Sequence, residues 1–418
     1  MKIEYFYILI LTLAACLNAI EVTSQIKNND EGGNATYTVK DLNEIKQITI
    51  VGRSADLEIV GTKNDFISIK AEYDYSGMNI LNDIIKKIES SDKSVFNSIF
   101  IVNDKRDSIE KNEKKDTYFF DFSGSEKERK NYSPLEISKD LKIVDIKLNS
   151  GFTDKVIIEL PRDLSFNIQL SSGYVEVRDV EAEFTLNSTN IDVEIENCKG
   201  VANVFSKVGD TDIKSFDGIL NFQNSFGVLK IDRFIGTSSI KKTAGDVKIS
   251  EFSGNIKSKS QSGLFEMKNS TKVDADIEVR IGEILIDRLT NSKAVDLRVK
   301  GGDISITDSE INRLSVYNHG GETQITNTKS DFDIDAVGDV ILNNIDLLLS
   351  RDNYIKSNFG DISLRINSSD KYLYSELNDE EEQTLKRDEV LNQNIKLRKR
   401  GAKNFLYINA ENGEIIFK

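Results

Sequence analysis

The 418-residue chain has no tryptophan, two prolines (Pro134 and Pro161), two cysteines (Cys16 and Cys198) and one histidine (His319). Two cysteines cannot build a disulfide framework. A single histidine removes the ordinary zinc sites, and no nucleophile–acid pair beside it suggests a triad. No Gly-rich phosphate loop followed by Lys-Ser/Thr occurs. Positive charge is also short: 55 Lys and Arg face 69 Asp and Glu, a net charge of −14. Such a chain lacks the positive field that drives nucleic-acid binding, and anionic membrane surfaces would repel it. What remains is ordinary for a folded protein, with 39% hydrophobic and 30% charged residues.

What is present is a repeat. One position recurs every 18 residues, at Gly173, Ile191, Gly209, Gly227, Gly245 and Gly263. It continues with small drifts at Gly282, Gly302, Gly321, Gly338 and Gly360. With that position as zero, offsets +2 and +4 are apolar in most units, as in Val175/Val177, Val193/Ile195 and Val247/Ile249. Offset +7 is Val180, Cys198, Phe216, Phe234 and Phe252, and offset +9 is glycine from Gly200 to Gly254. Offsets +11 and +13 are again apolar, as in Phe184/Leu186 and Leu220/Phe222.

A period near 20 residues marks a solenoid, in which one unit cannot bury its own inner face and stacking builds the core. The fold class expected is all-β: a single-stranded parallel β-solenoid, read as a right-handed β-helix, of about 18–20 residues per coil. Equal offsets then lie above one another at about 4.8 Å, so ten steps from Gly173 to Gly360 span about 48 Å. Phenylalanines at +7 should stack as an internal ladder, and Cys198 in that column reads as a small buried hydrophobe.

The first residues, MKIEYFYILILTLAACLNAI, have the layout of a signal peptide. The ending Leu13-Ala14-Ala15-Cys16 resembles the bacterial lipobox, in which Cys16 is the lipidated mature N-terminus; the alternatives are ordinary cleavage after Ala19 or an uncleaved anchor running to Ile20. Loss of residues 1–15 removes Lys2 and Glu4 and leaves the net charge unchanged. Leu17 stands where an aspartate would argue for inner-membrane retention, which points to the outer membrane or cell surface.

The order along the chain is then a signal peptide at 1–15 and a flexible tether at 16–33. N-terminal β-strands at 34–76 are followed by an excursion at 77–140, with one short helix at 80–88 (ILNDIIKKI) and charged loops. The solenoid occupies 141–366, with Pro161 closing one strand. A second, charged excursion at 367–403 shows helix-like spacing at Leu385, Leu391 and Ile395. Terminal strands at 404–418 close the solenoid.

The stretches ADLEIVGTKNDFISIKAEY at 55–73, VIIELPRDLSFNIQLSSG at 156–173 and SNFGDISLRI at 357–366, with the repeated Gly-Asp-[Val/Ile]-x-[Ile/Leu] units, resemble a bacterial putative-adhesin family. That is a domain of unknown function built of β-strand repeats. The resemblance covers 46–76 and 141–418 apart from the excursions. It implies a β-solenoid in the cell envelope and supplies no catalytic residues.

Three groupings invite a functional reading. Acids follow the column glycine at Asp210, Asp246, Glu283, Asp303, Glu322, Asp339, Asp361 and Glu414. A cation ladder is one reading; turn chemistry is the preferred one, because Tyr174, Val228 and Leu264 occupy the same slot. Asp331, Asp333 and Asp335 are expected to share one outward, solvated strand face. The basic run at 396–403 (KLRKRGAK) reads as a solvated loop pairing with Asp379–Glu382, or as a patch for acidic lipid or a partner.

The sequence therefore points to a non-enzymatic envelope lipoprotein with no catalytic residue, metal or cofactor. Its solenoid would bind or scaffold an envelope protein, a glycan or a host surface, and not nucleic acid. The alternative is a polysaccharide-binding or polysaccharide-degrading β-solenoid, which would gather charged groups from adjacent coils into a groove.

Overall fold

Alternation of apolar and polar residues converts the repeat into strands that pair in parallel with their own equivalents one coil away. A computed structural model describes residues 22–28, 32–40, 42, 45–74, 135–140, 143–148, 153–367, 373–376, 382–384, 389–391, 394–399 and 403–418. Among them the chain is all-β, with no α-helix. Leu229 pairs with Val247, Phe234 with Phe252 and Gly236 with Gly254, a register step of 18. Farther on, Phe265 pairs with Ile284, Ile284 with Ile304, Ile304 with Thr323, Thr323 with Val340 and Val340 with Ile362. The pairing follows every drift in the sequence period.

Each coil has two strands facing each other across one continuous core. Offsets +2 and +4 close it from one side and +11 and +13 from the other. The rings of Phe216, Phe234 and Phe252 stack at centroid distances of 5.5 and 5.1 Å and are almost fully buried. Phe166 stacks on Phe184 at 5.1 Å in the second inward column. Cys198 is 1% exposed. Its thiol donates toward the Glu196 carbonyl at 3.2 Å, and burial pushes it up to about 11.

The two corners are solved differently. At the zero position Gly227 has φ +130°, and a Cβ there would overlap the carbonyl oxygen of Gly209 in the coil below. The other corner carries a column that the glycine count does not reveal. At offset +6, Asp179, Asn197, Ser215, Arg233, Glu251 and Asn269 all have φ between 50° and 58°. A left-handed residue with a side chain costs about 1–2 kcal/mol, least for Asn and Asp. Here the side chains also bridge coils. Arg233 Nε donates to Ser215 Oγ at 3.0 Å, Asn327 Nδ2 to Asp308 Oδ1 at 2.8 Å and Asn344 Nδ2 to Asn327 Oδ1 at 2.7 Å. The sequence signal for it is a polar residue six places after each column glycine from Gly173 to Gly338.

Corner carbonyls that turn inward are met by buried polar side chains. Asn224 Nδ2 donates to Gly209 O at 3.3 Å, Lys242 Nζ to Gly227 O and Ser357 Oγ to Gly338 O at 2.9 Å. Such pairing is what a buried carbonyl requires.

At the N-terminal end, spatial order departs from chain order. Gln47–Thr62 pairs in parallel with Ser165–Arg178 along one edge. Along its other edge it pairs in parallel with Ile143–Leu148 and Thr153–Pro161. One coil is laid down first and the later segment returns beneath it. A strand Leu135–Asp140, inside the stretch read as excursion, then covers Ile143–Leu148 antiparallel. Ile67–Asp74, Gly32–Val39 and Val22–Asn28 add three antiparallel strands beyond Thr153–Pro161. Val22–Asn28 lies in the stretch expected to be a flexible tether; pairing with Gly32–Val39 gives its backbone partners that polarity alone does not reveal.

At the other end, Leu406–Ala410 and Ile415–Phe417 form the last parallel coil, on Asn353–Ser357 and Ile362–Ile366. The charged excursion supplies the cover. Asn394–Lys399 lies antiparallel on Leu406–Ala410, Leu373–Glu376 on Asn394–Lys399, and Glu389–Leu391 on Ile415–Phe417. Leu391 and Ile395 are therefore strand residues, not part of a helix. Leu391 pairs with Ile415 and Ile395 with Ile408 in the final coil, and exposed edges are what such strands must cover. The helix expected at 80–88, Cys16 and the signal segment lie outside the described residues.

Candidate binding face

The acids after the column glycines have a structural task. Asp192 Oδ1 accepts from Asp210 N at 2.8 Å, Asp210 Oδ1 from Val228 N at 2.8 Å and Asp246 Oδ1 from Leu264 N at 3.2 Å. Asp303, Asp339 and Asp361 do the same for Glu322, Asp361 and Glu414, at 2.8, 2.9 and 2.9 Å. Each carboxylate holds the backbone of the next coil, whereas turn chemistry would place the bond within its own corner. The parallel stack brings N–H and carboxylate together, and this contact is 18 or more residues away along the chain.

The Asp331, Asp333 and Asp335 expectation is corrected. Asp331 is 1% exposed. Its carboxylate accepts from Ser350 N at 3.1 Å and Asn353 Nδ2 at 3.2 Å, and from the Ser350 hydroxyl. Only Asp333 and Asp335 stand on the partly exposed outer side. The wider coil reaching Ser350 folds over Asp331, which strict alternation does not foresee. Among the described residues no group of three or more Asp, Glu, His or Cys side chains has metal-site geometry.

The basic run is not a bare loop. Lys396 and Arg398 sit in the covering strand, with Lys396 Nζ 3.8 Å and the Arg398 guanidinium 5.6 Å from the centroid of Phe405. Phe405 and Tyr407 in turn pack against each other at 6.0 Å.

His319 marks a feature that the columns do not absorb. It lines an open groove of about 330 Å³ with Glu278, Arg298, Val299, Lys300 and Tyr317. The residues come from three successive coils in register: Glu278 beside Arg298 beside Tyr317. Two positions along each strand, Arg280, Lys300 and His319 form a parallel exposed row. Buried Val279, Val299 and Asn318 alternate between the two rows and fix both as outward.

Most cations on this face are paired. Lys257 meets Asp276 at 3.4 Å, Lys259 meets Glu278 at 2.8 Å, Arg313 meets Asp296 at 3.1 Å, and Arg298 also bonds Asp276. The Lys259 bond holds the Glu278 carboxyl below its usual range. Burial pushes Asp276 up, but Arg298 and Lys257 outweigh it and hold that group low as well. The Arg298 guanidinium lies 5.9 Å from the Tyr317 ring centroid. The side chains of Arg280 and Lys300, both exposed, make no hydrogen bond or salt bridge among the described residues, although Lys300 adds to the pull that holds the Glu278 carboxyl low.

The corner beside this row is shaped by the residue preceding each column glycine. That slot varies from Ser172, Asn190, Ala244 and Ser262 to Val208, Phe226, Ile281, Val337 and Phe359, with Ile281, in the coil of Glu278, 63% and Phe359 72% exposed. In the coils of Arg298 and Tyr317 it holds Gly301 and Gly320. A Cβ on Gly301 would have its nearest neighbour at 4.0 Å, and its φ is not in the left-handed region. Neither backbone angle nor packing requires that glycine, and it leaves the position after the groove residue Lys300 without a side chain.

A family model described as Toastrack DUF4097 matches residues 45–300, more than half of the chain. A solved structure titled as a putative cell adhesion protein from Clostridium sporogenes ATCC 15579 is similar at 12% identity and a TM-score of 0.23. That match covers 62% of this chain and 100% of the other. No curated protein matches the chain.

Proposed function

From the premise that the chain belongs to the Toastrack DUF4097 family, we propose that it is a non-catalytic binding protein of the cell envelope. Cys16 is its lipid attachment site, the stacked coils are its scaffold, and the face around Arg298 and Tyr317 meets the partner. One observation carries this reading: the groove is lined by in-register charged and aromatic groups from three coils. A solenoid holds such groups at fixed spacing without further ordering, which lowers the entropic cost of binding an extended partner. The test is co-sedimentation of the mature chain with envelope material isolated from its own cells. Absence of any bound fraction at low salt would end this reading. Separately, Cys16→Ala should abolish labelling by a radioactive fatty acid, and persistent labelling would remove the anchor.

The alternative, a polysaccharide-degrading solenoid, draws on the same convergence of Glu278, Arg298, Lys300, Tyr317 and His319. Against it, Glu278 and Arg298 are already engaged by Lys259 and Asp276. Release of reducing ends from an acidic glycan, lost in His319→Ala, would favour the enzyme over the binding protein.

A further inference from the structure

We infer that the groove and the exposed row beside it are a subsite for an acidic polysaccharide lying along the solenoid axis, with its carboxylate or phosphodiester groups on Lys300 in the groove and Arg280 next to it. The inference rests on the proposed binding role and names its ligand class. Four features of the molecule converge on it.

The first is charge. In a chain of net charge −14, the Arg280 and Lys300 side chains stand together without a hydrogen bond or salt bridge among the described residues, Lys300 adding only a weaker pull on Glu278, while the neighbouring Lys257, Lys259 and Arg313 are paired with Asp276, Glu278 and Asp296. Two adjacent like charges repel unless an anion lies between or over them, and they sit where that anion has access. The second is spacing. Arg280 and Lys300 occupy equivalent places in consecutive coils, between the in-register pairs Val279–Val299 and Ile281–Gly301. Their separation is the coil rise of about 4.8 Å, comparable to the length of one sugar unit. A linear glycan with an acid on successive residues meets one cation per unit.

The third feature is the aromatic and polar lining. Tyr317 is half-buried under the Arg298 guanidinium, and His319, two residues on in the same coil, adds an exposed imidazole. These are groups that contact a sugar ring and its hydroxyls. The fourth is access. Gly301 leaves the corner after Lys300 without a side chain and is not needed for backbone geometry, in a slot that ranges elsewhere from Ser172, Ala244 and Ser262 to Phe226, Ile281 and Phe359. Anion contact by unpaired Arg and Lys is charge-assisted and weakens with added salt.

The test is equilibrium binding of the full chain to polygalacturonate, polyglycerol phosphate, dextran and single-stranded DNA, at low and high salt. One or both acidic polymers should bind, more weakly as salt rises; which of them binds identifies the acid as carboxylate or phosphodiester. Dextran should not bind. Arg280→Gln with Lys300→Gln should weaken binding about tenfold or more, with an unchanged melting temperature. Gly301→Phe should block the groove at unchanged charge, whereas Gly301→Ala should bind as the native chain does. Three results overturn the inference: dextran binding as tight as that of the acidic polymers, DNA binding as tight as theirs, or full affinity retained in both the charge and Gly301→Phe variants. If the same variants still sediment with envelope material, the binding role stands and only this ligand assignment fails.

Discussion

The coils from Gly173 to Gly263 and those from Gly263 to Gly360 are built on one plan and differ in strictness. In the first set every step is 18 residues, the +7 column is apolar from Val180 to Phe252, and the +9 corner is glycine from Gly200 to Gly254. In the second set the steps are 19, 20, 19, 17 and 22 residues. The +7 column there becomes Ser270, Leu289, Ser309 and Thr328, and Lys272 and Asn291, with φ 54° and 52°, take the place of the +9 glycines. The groove opens in the second set. Strict repetition keeps the backbone of every coil in the same place, although the outward side chains vary, as in Tyr174, Asp210 and Val228 at offset +1. Local changes in coil length let three successive coils differ, and that difference forms a site.

The largest test of this contrast is in the ladder. Phe234→Asp places a charge between two stacked rings and should cost about 4 kcal/mol or more, read as a lost or greatly lowered urea midpoint. Ser309→Ala, in the equivalent column of the looser set, removes the acceptor for Leu289 N at 3.1 Å and should cost only about 1 kcal/mol. Equal costs would show that the two sets share one kind of core.

The second test compares two glycines. Gly227→Ala forces a Cβ into the Gly209 carbonyl at φ +130° and should destabilise by about 1–3 kcal/mol or more. Gly301→Ala should change stability by less than about 0.5 kcal/mol. A large cost at Gly301 would mean that the bare corner serves the backbone and not access.

The third concerns Lys242, which is 5% exposed in the stricter set. Burial pushes its ammonium down from 10.5 to about 8, against the opposing pull of Asp210 and Asp246. Between pH 8 and 10.5 the unfolded chain then binds more protons at this site than the folded one, so its contribution to stability rises with pH across that window. Lys242→Met should flatten that rise in urea titrations. An unchanged slope would show that Lys242 keeps an ordinary ammonium.

The smallest effect separates acceptor from charge. Asp210→Ala should cost about 1 kcal/mol by leaving Val228 N without its acceptor, and Asp210→Asn, which keeps an oxygen there, should recover most of it. Equal loss in both would assign the column to charge.

Much of the scaffold is legible in the sequence because a solenoid makes sequence offset equivalent to spatial contact. The period alone makes Phe216, Phe234 and Phe252 neighbours and drops Cys198 into the core with them. The same arithmetic sets the acid column apart as structural, though the bond each acid makes to the next coil depends on how the corners stack. The candidate site is barely legible: His319 stands out for being alone, while nothing in the pattern distinguishes Arg280, Lys300, Arg298 and Tyr317 from other outward residues. Their rows cross coils of 19 and 20 residues, so offsets counted from the glycine no longer align them.

By itself, then, the sequence determined the repeat, the inward columns and the all-β class, since stacking turns a local period into a continuous core. Tertiary structure alone decided four things: the place of Gln47–Thr62 between later strands, the antiparallel covers at both ends, the burial of Asp331 and the groove beside Gly301. Each depends on segments brought together across an insertion or a change of coil length, and counting along the chain carries no information about register once its period is interrupted.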